Sequence, residues 1–203
     1  MPKAASTFVG YYSDPATPPQ TALYDAGGKR LRWIEENKLD SSHPFYPYSA
    51  RYPAPEFGTL KADDGQPLHY VLERPAGFDP SKRYPAIVDV YGGPGFQTVT
   101  RSWLSAGDKL DLEAGYVVFQ LDNRGSANRS TAFEAPIYKR MGTPEVDDQL
   151  VGLRYLRSLP FIEAERVGVS GWSYGGYMTL RMITDPRTPV SYTHLTLPTK
   201  RIV

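Results

Sequence analysis

The sequence predicts an α/β fold, in which helices cover a largely parallel sheet, and two features of the chain indicate it. Ala86–Tyr91 and Tyr116–Leu121 are short, nearly continuous apolar runs, which are typical of strands buried on both faces. Segments with helical spacing alternate with such runs, beginning with Trp103–Ala114, which Gly115 ends. Alternation of strands and helices favours a parallel sheet.

Residues 1–50 are predicted to lie outside this sheet. The stretch from residue 40 to residue 55 is dense in serine, proline and tyrosine, which favours a linker. We therefore expect residues 1–50 to be the remnant of a β-domain with its linker, and residues 51–187 to form the α/β domain. Three short strands, too few to bury a face by themselves, are expected in the remnant: Thr7–Tyr12, Leu23–Asp25 and Leu31–Ile34.

A hairpin is predicted to lead into the parallel sheet. Phe57–Ala62 and Leu68–Leu72 flank Asp63-Asp64-Gly65, and Asp-Gly between two apolar runs is a strong hairpin signal. Further along the chain, a helix is predicted to begin at Pro144 with Thr143 as its N-cap, and Pro160 should end it. Its apolar stripe comprises Val146, Leu150, Leu153 and Leu156.

The most informative stretch is Val167–Met178, which reads VGVSGWSYGGYM. A strand, a G-x-S-x-G turn and a helix in this order form a nucleophile elbow, which would expose Ser173 at a sharp bend. A Cβ at Gly171 or Gly175 would clash as the strand and the helix close on each other. The alternative is a glycine-rich turn with an incidental serine. We also expect the predicted strand Val167–Gly171 to have an uncovered outer edge.

A serine nucleophile needs a histidine base and an orienting carboxylate, which follow it in the order Ser, Asp or Glu, His. After the serine, the chain contains only Asp185 and His194, while His43 and His69 precede it. Asp185 is expected to end the helix, and His194 lies in a threonine-rich stretch without the context of a strand end. The sequence therefore predicts that the triad Asp and His are absent from these 203 residues.

The donors for an oxyanion are predicted to be present. Tyr91-Gly92-Gly93-Pro94-Gly95 follows a predicted strand, where a hydrolase of this type places its second donor. The Tyr91 hydroxyl and the N–H of Tyr174 are the candidates. The alternatives are a simple turn or a phosphate loop, and the latter is disfavoured because no Gly-Lys-Ser/Thr follows.

The composition excludes several classes of protein. A net charge of +1 gives no basis for a nucleic acid or an anionic membrane as partner. No apolar run approaches the roughly 20 residues that a membrane-spanning helix needs. With no cysteine there are no disulfides and no thiolate metal sites, and we expect neither metal nor cofactor. The composition assigns no compartment.

Four spaced motifs together give the chain a resemblance to a known family. They are YGGPG (Tyr91–Gly95), DNRGS (Asp122–Ser126), MGTPEVDDQ (Met141–Gln149) and GWSYGGYM (Gly171–Met178). The chain resembles the prolyl oligopeptidase family of serine peptidases, and within it the dipeptidyl peptidase IV branch, from about Phe57 to Thr184. The resemblance implies an incomplete α/β-hydrolase fold that is preceded by the last strands of a β-propeller.

The resemblance also implies roles for individual residues. Ser173 would be the nucleophile, the Tyr91 hydroxyl and the Tyr174 N–H the oxyanion hole, and the Tyr174 ring a wall of the proline pocket. Trp172 and Arg124 lie in matching motifs and are expected to be structural supports, with Trp172 also a candidate for substrate binding. The substrate would be a peptide with proline or alanine after its first residue, and the full-length protein would be able to form a homodimer.

Two segments depart from the family. Glu35-Glu36 superficially resembles the glutamate pair that binds the substrate's amino terminus in the family, but we expect an exposed turn there. Residues 188–203 are predicted to be a non-family tail that resembles translated linker sequence. The fragment is therefore expected to be inactive. The alternatives are an acylaminoacyl peptidase, an esterase or a non-catalytic binding protein with the hydrolase fold.

Overall fold

A computed structural model describes residues 6–103, 106–188 and 192–196, which form two sheets. The smaller sheet has three antiparallel strands in the order β1 (Thr7–Asp14), β2 (Thr17–Asp25) and β3 (Arg30–Glu35). The prediction of three strands is confirmed, although β2 begins six residues earlier than expected. The first part of β2 was not predicted because it contains two prolines, and proline cannot donate a hydrogen bond to a neighbouring strand. The assignment of this sheet to a propeller stays a prediction.

The predicted linker is irregular apart from one helical turn, α1 (Tyr46–Ser49), which buries none of its residues. Its aromatic side chains attach it to the domain that follows. The ring of Phe45 packs edge-on against Trp103, with 5.4 Å between centroids, and the Lys109 ammonium lies 3.9 Å from the Phe45 centroid. The linker therefore packs against the α/β domain.

The larger sheet confirms the α/β prediction. Its strands lie in the order β4-β5-β7-β6-β8-β9, antiparallel at the first two junctions and parallel at the remaining three. The two apolar runs form its centre, where Val88 and Phe119 are fully buried. The six strands are β4 (Glu56–Lys61), β5 (Pro67–Glu73), β6 (Tyr84–Asp89), β7 (Val117–Leu121), β8 (Ile162–Trp172) and β9 (Tyr192–Thr196).

In the described part of the chain four helices follow α1, and the capping contact at the start of one of them differs from the predicted one. Thr143 precedes α4 as expected, but its side chain makes no capping hydrogen bond. The Glu145 carboxylate instead accepts hydrogen bonds from the backbone N–H groups of Gly142 and Thr143. The helices are α2 (Ala106–Glu113), α3 (Thr131–Glu134), which continues into a 3-10 turn at Ala135–Ile137, α4 (Pro144–Ser158) and α5 (Tyr174–Thr184). The predicted start of α2 includes residues 104–105, which lie outside the described residues.

The expectation of an uncovered edge at Val167–Gly171 is wrong. β9 pairs with β8 in parallel, from Gly168 opposite Tyr192 to Trp172 opposite Thr196. His194 consequently lies within a strand, opposite Ser170, and not in an irregular stretch. Composition alone does not predict β9, because its threonines fit either a loop or a strand. The non-family origin of residues 188–203 stays a prediction.

Candidate active site

The sheet topology creates a crevice at the carboxyl ends of β6 and β8. These strands are neighbours, but β6 leads to β7 on one side and β8 leads to β9 on the other. In open α/β sheets, ligands bind where the connections of adjacent strands diverge in this way. The loop that begins at Tyr91 leaves β6 at this position, and Ser173 follows β8 directly.

Ser173 occupies a strained bend between β8 and α5. Its φ of 57° and ψ of −117° are unfavourable for a residue with a side chain, and it is exposed. The bend needs its two glycines: a Cβ at Gly171 would lie 2.3 Å from the Gly175 carbonyl oxygen, and a Cβ at Gly175 would lie 2.0 Å from that of Val90. The predicted steric requirement for glycine at both positions is confirmed.

The start of α5 supplies donors next to this serine. Tyr174 is the first residue of α5, and the N–H groups of a helix's first turn have no partner within the helix. The partial positive charge at this end of the helix favours an anion there. Within the described residues, the Ser173 hydroxyl makes no hydrogen bond. The bend thus presents a hydroxyl beside N–H donors.

The loop after β6 brings the Tyr91 and Tyr174 rings together, with 6.2 Å between their centroids. Gly93 lies between them, since a Cβ there would be 2.8 Å from Tyr91 Cε1 and 2.9 Å from Tyr174 Cγ. Phe96 also packs against Tyr91, at a centroid distance of 4.7 Å. The structure therefore places both tyrosines and the serine at one crevice, and their role as an oxyanion hole stays a prediction.

Two buried amides fix the backbone of this loop. Asn123 Nδ2 donates to the Gly92 carbonyl oxygen at 3.1 Å, and Gln149 Nε2 donates to Asn123 Oδ1 at 2.8 Å. Gly92 has a φ of 70°, and a Cβ there would be 3.0 Å from Asn123 Oδ1. The turn that carries Tyr91 therefore depends on β7 and α4 through a chain of buried hydrogen bonds.

A second polar anchor holds the segment just after this loop. The Asp122 carboxylate is buried, and its Oδ1 accepts hydrogen bonds from the N–H groups of Thr98 at 2.8 Å and Val99 at 3.1 Å. Burial raises the pKa of Asp122 above its usual value. The first two residues of the motif DNRGS, Asp122 and Asn123, thus hold the backbone of the loop after β6 by hydrogen bonds.

Arg124 has the supporting contacts that the resemblance implies. Its guanidinium donates to both carboxylate oxygens of the buried Asp148, the closest contact being Nη2–Oδ1 at 2.7 Å, and to Asp64 Oδ2 at 2.8 Å. The Asp148 carboxylate raises the pKa of Arg124 above its usual value, so this side chain stays charged. The arginine joins α4, the end of β7 and the β4–β5 turn.

Trp172 does not match the expected role of a support. Its side chain is 55% exposed, directly before Ser173 at the end of β8. A side chain with so much of its surface exposed contributes little to the core. Its position beside the serine is compatible with contact to a ligand, and substrate binding by Trp172 stays a prediction.

Three of the four candidate triad residues have their contacts or positions away from the serine. Asp185 caps the far end of α5, and eleven helical residues place it about 16 Å from the elbow. His69 Nδ1 lies 3.0 Å from the Thr59 hydroxyl, and burial lowers the pKa of His69. His43 Nδ1 accepts from the Phe45 N–H in the linker. The side chain of His194 lies outside the described part of the structure.

Two other expectations concern surface and metal sites. Glu35 and Glu36 are both exposed, as expected, but Glu35 is the last residue of β3 and Glu36 follows it in irregular chain, so the expected turn is not formed there. Among the described residues, no cluster of three or more His, Cys, Asp or Glu side chains is arranged to hold a metal ion. The described helices include none that is long and apolar enough to cross a membrane.

Comparison with known proteins identifies the family. The model of the prolyl oligopeptidase family matches residues 102–190, which include the elbow. Dipeptidyl peptidase 8 from Mus musculus is 36% identical over 183 residues, covering 85% of this chain and 20% of the relative. The chain belongs to the prolyl oligopeptidase family of serine peptidases.

Solved structures of family members agree with this assignment. The crystal structure of Porphyromonas gingivalis dipeptidyl peptidase 4 aligns with a TM-score of 0.82 and 30% identity, covering 93% of this chain and 26% of that one. A Bacteroides ovatus protein assigned as a dipeptidyl aminopeptidase IV aligns with a TM-score of 0.75 and 41% identity, covering 86% and 24%. This chain spans about a fifth to a quarter of the length of these relatives.

Sequence reasoning found the family motifs but missed how three of their residues act. Asn123, Gln149 and Glu145 are buried polar side chains whose partners come from distant parts of the chain. For Glu145 and Gln149 the available signal was a polar residue beside the apolar stripe of α4, since polar residues are buried only with hydrogen-bond partners; Asn123 lies in the loop after β7 and had no such signal. In this member of the prolyl oligopeptidase family they connect α4 to the candidate site.

Proposed function

We propose that Ser173 is the nucleophile of a peptidase that releases dipeptides from the amino terminus of peptides with proline or alanine at the second position. The observation that carries this proposal is the geometry of the elbow: an exposed serine at a φ of 57°, between the first turn of α5 and the Tyr91–Tyr174 pair. The dipeptidyl peptidase names of the relatives support the class of product.

The proposed reaction is acyl transfer in two steps. The Ser173 Oγ attacks the carbonyl carbon of the second substrate residue and passes its proton to a general base. The Tyr174 N–H and the Tyr91 hydroxyl stabilise the oxyanion that forms. The C–N bond then breaks, the amine leaves with a proton, and water hydrolyses the ester to restore the serine and release the dipeptide.

The base and its orienting carboxylate are proposed to come from a longer chain. Within the described residues, no histidine–carboxylate pair contacts Ser173, and an enzyme that loses triad members falls in rate by several orders of magnitude. We therefore expect residues 1–203 alone to be nearly inactive. In the full-length protein, the small sheet would be the end of a propeller, the remainder of which would bind the substrate's amino terminus, and dimerisation would use other elements.

The test compares the full-length protein with its Ser173→Ala variant on coumarin reporters. Ala-Pro-coumarin should be cleaved by the wild type and not by the variant, while the acetylated reporter should be a poor substrate. Preference for the acetylated reporter would instead indicate an acylaminoacyl peptidase. Failure of a fluorophosphonate probe to label Ser173 would contradict an activated serine and favour a binding protein.

A further inference from the structure

Glu145 is a fully buried carboxylate beside the candidate site. Three donors converge on it: the N–H groups of Gly142 and Thr143, and the Tyr174 hydroxyl, which donates to Oε1 at 2.9 Å. It also lies in the first turn of α4, where the helix dipole favours a negative charge. A buried carboxylate is retained in a fold only with such compensation.

The loop before α4 is fixed to α5, so the position of this carboxylate is fixed relative to the elbow. The Gly142 carbonyl oxygen accepts a hydrogen bond from Arg181 Nη2 at 2.8 Å. Gly142 has a φ of 85°, and a Cβ there would lie 2.3 Å from the Tyr177 hydroxyl oxygen. Glu145 therefore contacts Tyr174 from a loop that is itself bound to α5, the helix that begins with Tyr174.

Tyr174 combines two proposed roles in one residue, because its N–H lies beside the oxyanion and its ring faces the crevice. Tyr177 packs edge-on against the ring at a centroid distance of 5.2 Å. A partly exposed ring can still rotate about its side-chain torsions, and a hydrogen bond to a carboxylate restricts this rotation more strongly than one to a neutral acceptor. The bond to Glu145 is the polar contact that holds the ring.

We infer that Glu145 is a positioning residue for substrate discrimination: its carboxylate holds the Tyr174 ring as the wall against which the substrate's proline packs. This inference rests on the proposed function. A proline ring contacts more of a flat wall than an alanine methyl group does, so a mobile Tyr174 ring should impair proline substrates more. Burial and the Glu145 carboxylate also raise the pKa of Tyr174 above its usual value, so its hydroxyl remains a donor.

A double-mutant cycle in the full-length protein tests this inference. The variants are Glu145→Gln, Tyr174→Phe and their combination, each assayed for kcat and KM on Ala-Pro-coumarin and Ala-Ala-coumarin. Glu145→Gln should lower kcat/KM for the proline reporter about tenfold, because a hydrogen bond to a charged group contributes on this order. The alanine reporter should lose less, so that the proline-to-alanine ratio falls. In the Tyr174→Phe background, Glu145→Gln should leave the ratio unchanged.

The outcomes separate this inference from the proposed function. Turnover that does not depend on Ser173 overturns the proposed function and the inference with it. Ser173-dependent turnover with an unchanged ratio in Glu145→Gln overturns the inference alone, as does a change of equal size in the Tyr174→Phe background. If Glu145→Gln does not fold, Tyr174→Phe decides, and an unchanged ratio there overturns the inference. Glu134→Gln, at an exposed carboxylate on α3, is the matched control.

Discussion

A Cβ built on Gly175 would lie 2.0 Å from the carbonyl oxygen of Val90, the residue that follows β6. Because glycine has no Cβ, the elbow and the loop that begins at Tyr91 can lie this close together. Val90 N–H also donates to the Ser170 carbonyl oxygen at 2.8 Å, which extends the pairing of the two strands up to the bend. The serine and the tyrosine loop are thus joined by backbone.

Gly175→Ala should destabilise the chain and displace the bend. The clash involves backbone on both sides, so neither partner can move aside alone, and we expect a loss of about 3 kcal/mol or more in the free energy of unfolding. Urea unfolding measures the loss, and fluorophosphonate labelling of the full-length protein reports the position of Ser173. Gly27→Ala, in a surface turn where a Cβ would approach only the Asp25 side chain at 3.3 Å, is the control. Equal stability of the two variants would contradict the steric argument.

Ser173→Gly should stabilise the fold while removing the proposed nucleophile. The serine has a φ of 57°, and glycine relieves this strain, although it adds entropy to the unfolded chain. The net gain should be about 1 kcal/mol, visible as a higher Tm. Ser173→Ala keeps the strain and serves as the comparison, because it also lacks the hydroxyl. A Tm for Ser173→Gly below that of Ser173→Ala would show that the strain at the bend is smaller than the entropic cost of glycine, and would contradict this prediction.

Asn123→Ala should weaken both the fold and the loop of Tyr91. It removes the Asn123 donor to the buried Gly92 carbonyl and one of the two acceptors of the Gln149 amide, which keeps its bond to the Leu121 carbonyl oxygen; a buried group left unsatisfied costs about 1–3 kcal/mol. In the full-length protein, labelling of Ser173 should slow, because the loop is no longer fixed. Asn128→Gly removes an exposed amide at a φ of 63°, where glycine is unstrained, and should have little effect on either measurement. Normal labelling in Asn123→Ala would mean that the loop keeps its position without this bond.

The sequence predicted the parts of the fold that depend on local pattern. The buried runs, the hairpin around Gly65 and the glycines beside Ser173 each have a local cause, since strand burial, turn chemistry and close approach all leave a mark on residue type. Sequence reasoning also placed Asp185 at the end of α5 for the same reason.

The parts that it missed depend on long-range pairing. β9 was not predicted, because its pairing with β8 follows from the sheet and not from its own composition. The bond from Tyr174 to Glu145 spans 29 positions and crosses from one helix to another. Local pattern predicts that the Thr143 side chain caps α4. In the structure the Glu145 carboxylate binds the backbone N–H of Thr143 instead, and its bond to Tyr174 on another helix is a tertiary contact that local pattern does not show.

The ion pair between Asp185 and Arg187 should make the stability of the chain depend on acid. Arg187 Nη2 lies 2.7 Å from Asp185 Oδ2, and its hydrogen bonds lower the pKa of Asp185 from 3.8 to about 2. Between these values the unfolded chain binds more protons than the folded one, so the contribution is complete above about pH 4 and is lost as the pH falls to 2. The Tm difference between wild type and Asp185→Asn should therefore shrink over this interval. In an Arg187→Ala background, the same comparison should show a smaller difference that varies less with pH, and a difference that persists undiminished at pH 2 would attribute the effect to helix capping by Asp185.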